Sequence, residues 1–511
     1  MHELEALKET IEDFLRQPRP EAGLEISEDG ELLFTLPPQP PERLAAVSTR
    51  EANYELRLEA SKLLLHLWSA ERNWVRWVLR VEEVVGGERL VLSVYRFGQR
   101  QPGRLVIAVP RLRRVSDATR RKYRAFLRRL LAREFPQAQI EALTTAADLK
   151  NSFSGLYTRA RLGAGKSWWA VLGVNAAEEA TAVDGILTYG LIWLDWNRSH
   201  HPERVFAGLR LFLPRGCAQL TATRLAALNA TLLACELYEV DAAEFSCERV
   251  EARDIGNLGM RLLPAAWAAE VLHSEQSSVE RIRTLAPEAI ELIVPAERRE
   301  LSLRVRGLEF ARAVGSQVFF GVGSAEELLT KQNWPKLETL VRELVRRRVP
   351  EGKPSDSFYR LQAERWLESV VLEQIHILDP RLERAQFYRQ VPAFSAGTRG
   401  VVDLLGATRD GQLVVIELKA SAEIHLPMQA LDYWQRVRAC AQHGELLRFG
   451  YFAERLLRPE PPELLLVAPA FQFHPTTDTI LRYFAPEVRV TCVGINEDWR
   501  HGLQVVFRKT R

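Results

Sequence analysis

The chain has 511 residues, of which 47% are hydrophobic and 26% charged. That balance excludes long disorder and fibrous repeats, and the length exceeds what one hydrophobic core organises. A formal net charge of +3 provides no global pull toward nucleic acid or an acidic membrane, so such a partner would have to meet a local patch. The five cysteines, Cys217, Cys235, Cys247, Cys440 and Cys492, form no CxxC pair, which argues against a disulfide framework or a zinc site and for a reducing compartment.

Met1 to Gln17 carries an acidic amphipathic pattern (Leu4, Leu7, Ile11, Phe14, Leu15) that predicts a helix, not a signal peptide. No apolar run approaches the ~18 residues of a membrane span, so a soluble, cytoplasmic protein with no membrane partner is expected. A Pro-rich connector, Leu36 to Pro41, leads to a predicted helix around Tyr54 to Trp68, then to strand-like alternation at Trp74 to Glu83 and Arg89 to Tyr95. Arg111 to Arg133 predicts an amphipathic helix. Arg120, Arg124 and Arg128 make its cationic face, and Tyr123, Phe126, Leu127, Leu130 and Leu131 fill other positions. Such a face tracks phosphates or is merely solvated. Residues 1–145 are expected to be a mixed α/β domain containing this basic helix, 111–133.

Residues 146–349 alternate strand-like runs (Trp168 to Val174, Ile186 to Asp195, Val205 to Leu213) with helical ones (Thr221 to Leu237, Ser277 to Thr284, Trp334 to Val349). They predict a second α/β domain whose chemistry is not legible. Gly163-Ala-Gly165-Lys166-Ser167 has the look of a phosphate-binding loop. Ala160 stands at its first glycine, however, and a strand pattern follows where a helix N-terminus is needed. Asp195, His200 and His201 read as a solvated loop and not a metal site. Pro350 to Ser357 has the composition of a linker, setting off residues 355–511.

Phe358 to Leu378 predicts a helix with Leu367, Val370, Val371, Ile375 and Leu378 on one side, stopped by Asp379 and Pro380. Gly400 to Ala407 and Gln412 to Ala420 read as the strands of a hairpin. A turn centred on Asp410 puts Asp403 opposite Glu417, and side-chain alternation puts Lys419 on the same face. Two facing carboxylates between apolar strands repel each other and lose hydration. A divalent cation relieves both costs. Mg2+ is commonly held by one or two carboxylates plus substrate phosphate, and the Leu418 carbonyl is a further candidate ligand. Lys419 adds a compact charge suited to stabilising a phosphoryl transition state.

Asp403 followed by Glu417-Leu418-Lys419 resembles the PD-(D/E)XK nuclease superfamily. Gln429 and Tyr433, one turn apart on the next predicted helix, resemble the QxxxY element of its RecB-like branch. Val402 stands where the family's name has proline. The resemblance implies a restriction-endonuclease-like core, a mixed central sheet flanked by helices, within a multidomain α/β protein. It also implies an Mg2+- or Mn2+-dependent phosphodiesterase acting on nucleic acid, DNA more than RNA, with a homodimer as an option. By the same resemblance Asp403 and Glu417 are metal ligands, and Gln429 and Tyr433 line the site. An acid on the preceding helix joins them, with Glu364, Glu368 and Glu373 as candidates and Glu368 favoured for its place beside the apolar stripe. The alternatives are an effector nuclease gated by a small ligand and a non-catalytic nucleic-acid-binding protein that kept the fold.

Overall fold

The computed structural model describes residues 2–16, 24–28, 31–36, 53–59, 62–68, 73–85, 89–95, 102–108, 115–251, 262, 264–295, 300–322, 327–392, 400–453 and 455–511. The protein is a multidomain α/β chain. In order it has α1 (His2–Arg16), β1 (Leu24–Glu28), β2 (Glu31–Leu36), β3 (Asn53–Glu59), β4 (Lys62–Trp68), β5 (Asn73–Val85), β6 (Arg89–Tyr95) and β7 (Gly103–Ala108). There follow α2 (Asp117–Glu134), β8 (Gln139–Thr144), β9 (Tyr157–Ala164), β10 (Ser167–Val174), α3 (Ala180–Asp184), α4 (Ile186–His200), β11 (Val205–Pro214), α5 (Gln219–Leu225), β12 (Ala234–Asp241) and β13 (Ser246–Val250). Then come α6 (Ala266–Arg283), β14 (Ile290–Ile293), β15 (Leu301–Val305), β16 (Leu308–Val314), β17 (Gln317–Phe320), β18 (Glu327–Leu328), α7 (Trp334–Arg347) and α8 (Ser357–Arg360). The last elements are α9 (Ala363–Glu373), α10 (Ile375–Leu378), β19 (Leu382–Pro392), β20 (Val401–Thr408), β21 (Leu413–Leu418), α11 (Leu426–Gln442), α12 (Glu445–Arg448), β22 (Glu463–Pro469), α13 (Thr477–Leu481), β23 (Val490–Ile495) and β24 (Val505–Thr510).

Contacts group these elements into two compact units that are not consecutive in the chain. One comprises 1–113, 308–312 and 317–362, the other 114–307, 313–316 and 363–511. Composition divides the chain into three consecutive segments; contacts divide it otherwise.

In the first unit, seven antiparallel strands take the order β2-β1-β7-β6-β5-β4-β3. Ile11, Phe14 and Leu15 of α1 share its core with Leu63, Leu65, Leu67 and Leu92. The helix expected at Tyr54 to Trp68 is instead the β3–β4 pair. The reason is visible in the residues, because Leu63, Leu65 and Leu67 are buried in alternation, the period of a strand. The Pro-rich connector beyond Leu36 and residues 111–114 of the basic segment lie outside the described residues. Pro350 to Ser357 is tied by hydrogen bonds: the Asp356 carboxylate accepts from Arg347 (2.7 Å) and from the Phe358 N–H (2.8 Å), which caps α8.

The second unit holds two six-stranded mixed sheets, β13-β12-β11-β10-β9-β8 and β19-β20-β21-β22-β23-β24. In chain order the first runs antiparallel, antiparallel, parallel, parallel, antiparallel. The second repeats the same sequence of directions. Each parallel step is crossed by helix, as parallel pairing requires: α3–α4 and α5 in the first sheet, α11–α12 and α13 in the second. One apolar core joins them, containing Leu172, Leu191, Trp193 and Leu211 from one and Val415, Leu431, Trp434 and Leu466 from the other.

Four further expectations are corrected here. Ile186 to Asp195 is not a strand but most of α4, apolar nearly all round because it is buried on both sides, from Ile186 and Leu187 through Trp193 and Leu194. His200 therefore lies on this helix and His201 caps it, with no loop between. The helix expected over Thr221 to Leu237 ends at Leu225, and β12 begins at Ala234. Phe358 to Leu378 is broken into α8, α9 and α10, with left-handed backbone at Gln362 (φ +46°). Gly163 to Ser167 is the tight turn of the β9–β10 hairpin, with Gly165 at φ +55° and strand on both sides. Among the described residues no helix is long and apolar enough to cross a membrane.

Candidate functional site

The β20–β21 hairpin has the register expected from a turn at Asp410: Leu404 pairs with Ile416, Leu405 with Val415, Gly406 with Val414 and Ala407 with Leu413. Asp403 and Glu417 lie one step beyond the Leu404–Ile416 pair, and their carboxylates are close enough for Asp403 to repel Glu417. Gly411, at φ +84°, closes the turn in a conformation that a β-carbon disfavours, and its own Cβ would meet the Leu456 carbonyl at 2.2 Å. Strand β22 runs parallel beside β21, pairing Glu417 with Leu466, and the Lys419 N–H donates to the Val467 carbonyl (3.0 Å). The carboxylates are thus held by a central strand with neighbours on both sides.

Glu417 is 1% exposed, and its Oε2 has no hydrogen-bond partner. Its Oε1 accepts from Lys419 Nζ at 3.3 Å. Burial, followed by repulsion from Asp403, pushes the Glu417 carboxyl well above its usual range. Asp403 accepts from the Leu418 N–H at Oδ2 (2.9 Å) and from Arg365 at Oδ1 (3.4 Å). Burial raises its carboxyl to about 6, against the pull of Arg365 and Lys419. Burial acts to lower the Lys419 ammonium, but Glu417, Glu364 and Asp403 together outweigh it and raise the group above the ordinary lysine range.

Glu368 is buried on α9, as its place beside the apolar stripe implies, while the Glu364 side chain is 46% exposed and stands 3.9 Å from Lys419 Nζ. Glu368 is already engaged. Its Oε2 accepts from Arg365 Nη1 (2.7 Å), Gln390 Nε2 lies 3.3 Å from both oxygens, and Arg389 Nε lies 3.8 Å from Oε1. On α11, Gln429 Nε2 donates to Tyr433 Oη (3.1 Å). Burial, with Glu417 next in effect, keeps that phenol protonated well above its usual value. The structure therefore gathers Asp403, Glu417, Leu418, Lys419 and Glu368 around one end of the hairpin, with Tyr433 near enough for its ionisation to feel Glu417 and Asp403.

Sequence reasoning missed Arg365 and Gln390. Arg365 bridges Glu368 and Asp403, and its three-residue spacing from Glu368 on a helix was the available signal. Gln390 stands opposite Asp403, between the pairs Arg389/Leu404 and Val391/Val402, and has left-handed backbone (φ +53°). Such a conformation costs a non-glycine residue about 1–3 kcal/mol, and nothing in the local sequence announces it. Other polar residues are engaged elsewhere. His425 Nδ1 is 3.2 Å from Thr188 Oγ1, and burial lowers its imidazole. His200 stacks on Trp196 (4.2 Å between ring centres), and Asp195 accepts from Arg482 (2.6 Å). On α2, Arg120 pairs with Glu178 at 2.9 Å, while Arg128 is exposed.

Among the described residues no group of three or more His, Cys, Asp or Glu side chains is arranged to hold a metal ion. The Asp403–Glu417 pair fits a hard cation of the kind that takes one or two carboxylates and completes its shell with water and substrate oxygens. The orphaned, buried Glu417 Oε2 is a lone-pair donor without a donor hydrogen, an expensive state unless something positive meets it. No protein-family model matches the chain, and no curated protein matches it.

Proposed function

We propose that residues 363–511 form a nuclease domain of the PD-(D/E)XK type, with a restriction-endonuclease-like core, and that the protein hydrolyses phosphodiester bonds in nucleic acid, DNA in preference to RNA. The observation that carries this reading is the buried acid pair, Asp403 opposite Glu417, with one carboxylate oxygen unpartnered and a lysine 3.3 Å from the other. Both carboxyls are pushed upward when only protein surrounds them. An arrangement that costs stability, set at the end of a well-packed strand pair, is typical of a functional site.

Asp403 and Glu417 would hold Mg2+ or Mn2+, with the Leu418 carbonyl as a further donor. The ion, when bound, would neutralise phosphate charge and make water more acidic. The chain's own residues do the rest. The Leu418 N–H and Arg365 fix the Asp403 carboxylate, and Arg365 also neutralises Glu368, the auxiliary acid. Lys419 is charged at any physiological pH and is braced against Glu417, which leaves its remaining protons for a nonbridging phosphate oxygen as negative charge grows there. Gln429 and Tyr433 form a hydrogen-bonded pair suited to positioning. In the overall reaction water adds to phosphorus, the bond from phosphorus to a sugar oxygen breaks, and that oxygen gains a proton as the new phosphate loses one.

The test is cleavage of labelled single- and double-stranded DNA and RNA with Mg2+ or Mn2+ by the wild-type chain, Glu417→Ala and Lys419→Ala. Metal-dependent cutting lost in both variants supports the proposal. Wild type that leaves every substrate intact, or variants that cut as well as wild type, would refute it.

A further inference from the structure

The two sheets of the second unit agree in more than strand count. Each is preceded by a helix, α2 in one case and α9 with α10 in the other; each has a long helix after its third strand, α4 or α11; each has a short one after its fourth, α5 or α13. Their contacts with one another are reciprocal. Arg224 of α5 pairs with Asp432 of α11 (2.8 Å), and Arg482, at the end of α13, pairs with Asp195 of α4 (2.6 Å). One turn beyond those acids, Gln435 Nε2 donates to the Thr223 carbonyl (2.8 Å), and Arg198 donates to Tyr483 Oη (3.3 Å). The N-terminal ends of the two long helices touch through Thr188 and His425.

The connections after α5 and α13 form an antiparallel bridge between Leu228 and Phe484. Its two hydrogen bonds point in opposite senses, Asn229 N–H to the Tyr483 carbonyl (2.8 Å) and Ala485 N–H to the Ala227 carbonyl (2.9 Å). When region i of one body contacts region j of the other while j contacts i, the arrangement is that of a twofold pair. Here both members belong to one chain and share one core.

The members differ at the hairpin that carries the acids. Strands β9 and β10 contain no Asp or Glu at all. Facing α4, they present Tyr157 opposite Val174 and Arg159 opposite Leu172. Arg159 is occupied, donating to the Ser154 and Ala146 carbonyls and lying over the Phe153 ring. A cation site of the Asp403–Glu417 kind cannot form there.

We propose that residues 117–250 are a second, catalytically empty copy of the fold at 363–511, so that the chain is a built-in pair with a single cutting centre and breaks one strand of a DNA duplex. The inference rests on the nuclease reading of the Asp403–Glu417 site. The strands of a duplex are related by dyads, and a twofold protein places equivalent groups on both. With one set of acids missing, one strand is addressed and the other is held against an inert partner. Glu417 and Asp403 supply the only such centre among the described residues of this pair.

Supercoiled plasmid with Mg2+ separates the outcomes, read beside Mn2+ binding to the metal-free protein. The expected result is full conversion of supercoiled plasmid to open circles before linear DNA appears, with Mn2+ binding lost in the Asp403→Ala/Glu417→Ala double variant. Linear DNA formed as fast as supercoiled DNA disappears would overturn the single-strand inference while leaving the nuclease reading intact. Mn2+ binding retained in the double variant would overturn the emptiness of the first copy. No metal-dependent cleavage by wild type, or cleavage unchanged in the double variant, would remove the nuclease reading and this inference with it.

Discussion

Two hairpins in the same unit, β9–β10 and β20–β21, occupy the same place in the same strand order and carry opposite chemistry. The first is filled with apolar side chains and with Arg159, whose terminal nitrogens donate to the Ser154 and Ala146 carbonyls and whose guanidinium lies over the Phe153 ring. The second buries two carboxylates against each other with a lysine beside them. The comparison separates what a fold needs from what a site needs. The same strand order forms around the first hairpin without acids, so the fold itself does not require carboxylates at 403 and 417.

The largest expected effect is on chemistry. Glu417→Ala should lower metal-dependent cleavage by about 10²- to 10³-fold or more, as removal of transition-state charge stabilisation does elsewhere, while Arg159→Lys in the other hairpin leaves the rate near wild type. Single-turnover rates on a labelled duplex read both, and equal losses would dissolve the contrast between the hairpins.

Next in size is the joint between the two sheets. Arg224 and Asp432 are both nearly buried, so Arg224→Ala strands a carboxylate and should cost about 3–5 kcal/mol. Its counterpart Arg482 is half exposed, and Arg482→Ala should cost at most about 1 kcal/mol. Denaturant unfolding of the two variants measures the difference, and similar losses would mean that the reciprocal ion pairs are not differentiated by burial.

The acid pair offers a smaller effect with a definite sign. Because the folded chain raises the Asp403 carboxyl to about 6, folding takes up a proton between the ordinary carboxylate range and that value. Stability must therefore fall as pH rises through this window. Asp403→Asn keeps an acceptor for the Leu418 N–H and removes the charge, so at pH 8 with chelator it should be more stable than wild type by on the order of 1 to 3 kcal/mol. Mg2+ should raise the Tm of wild type and not of the variant. A variant less stable than wild type at pH 8, or a Tm indifferent to Mg2+ in both, would count against the acid pair as a cation site.

The smallest expected effect concerns Gln429, whose partner is Tyr433 and not the acids themselves. Gln429→Ala should reduce cleavage by about tenfold and leave unfolding near wild type. A loss as deep as that of Glu417→Ala would promote it from a positioning residue to a direct participant.

The hairpin at the centre of the site was readable in advance because everything that determines it is local: a short turn with glycine, two alternating strands, and a register counted from the turn. That placed Asp403 opposite Glu417 and Lys419 beside them from residue order alone. The composition of the chain likewise implied several α/β bodies, and the apolar stripe of α9 pointed Glu368 inward. Tertiary structure decided the rest. Arg365 and Gln390 matter because packing brings α9 and the edge strand β19 to the same end of the hairpin, which no spacing rule foretells. Ile186 to Asp195 is apolar enough for a buried strand, and its continuous apolar run conceals a helix that is covered on two sides. Tyr54 to Trp68 forms two strands, because Leu63, Leu65 and Leu67 alternate into the core. The likeness of the two sheets is written in strand direction and order, set by pairings between residues far apart in the chain, while their hairpin sequences have no acidic position in common.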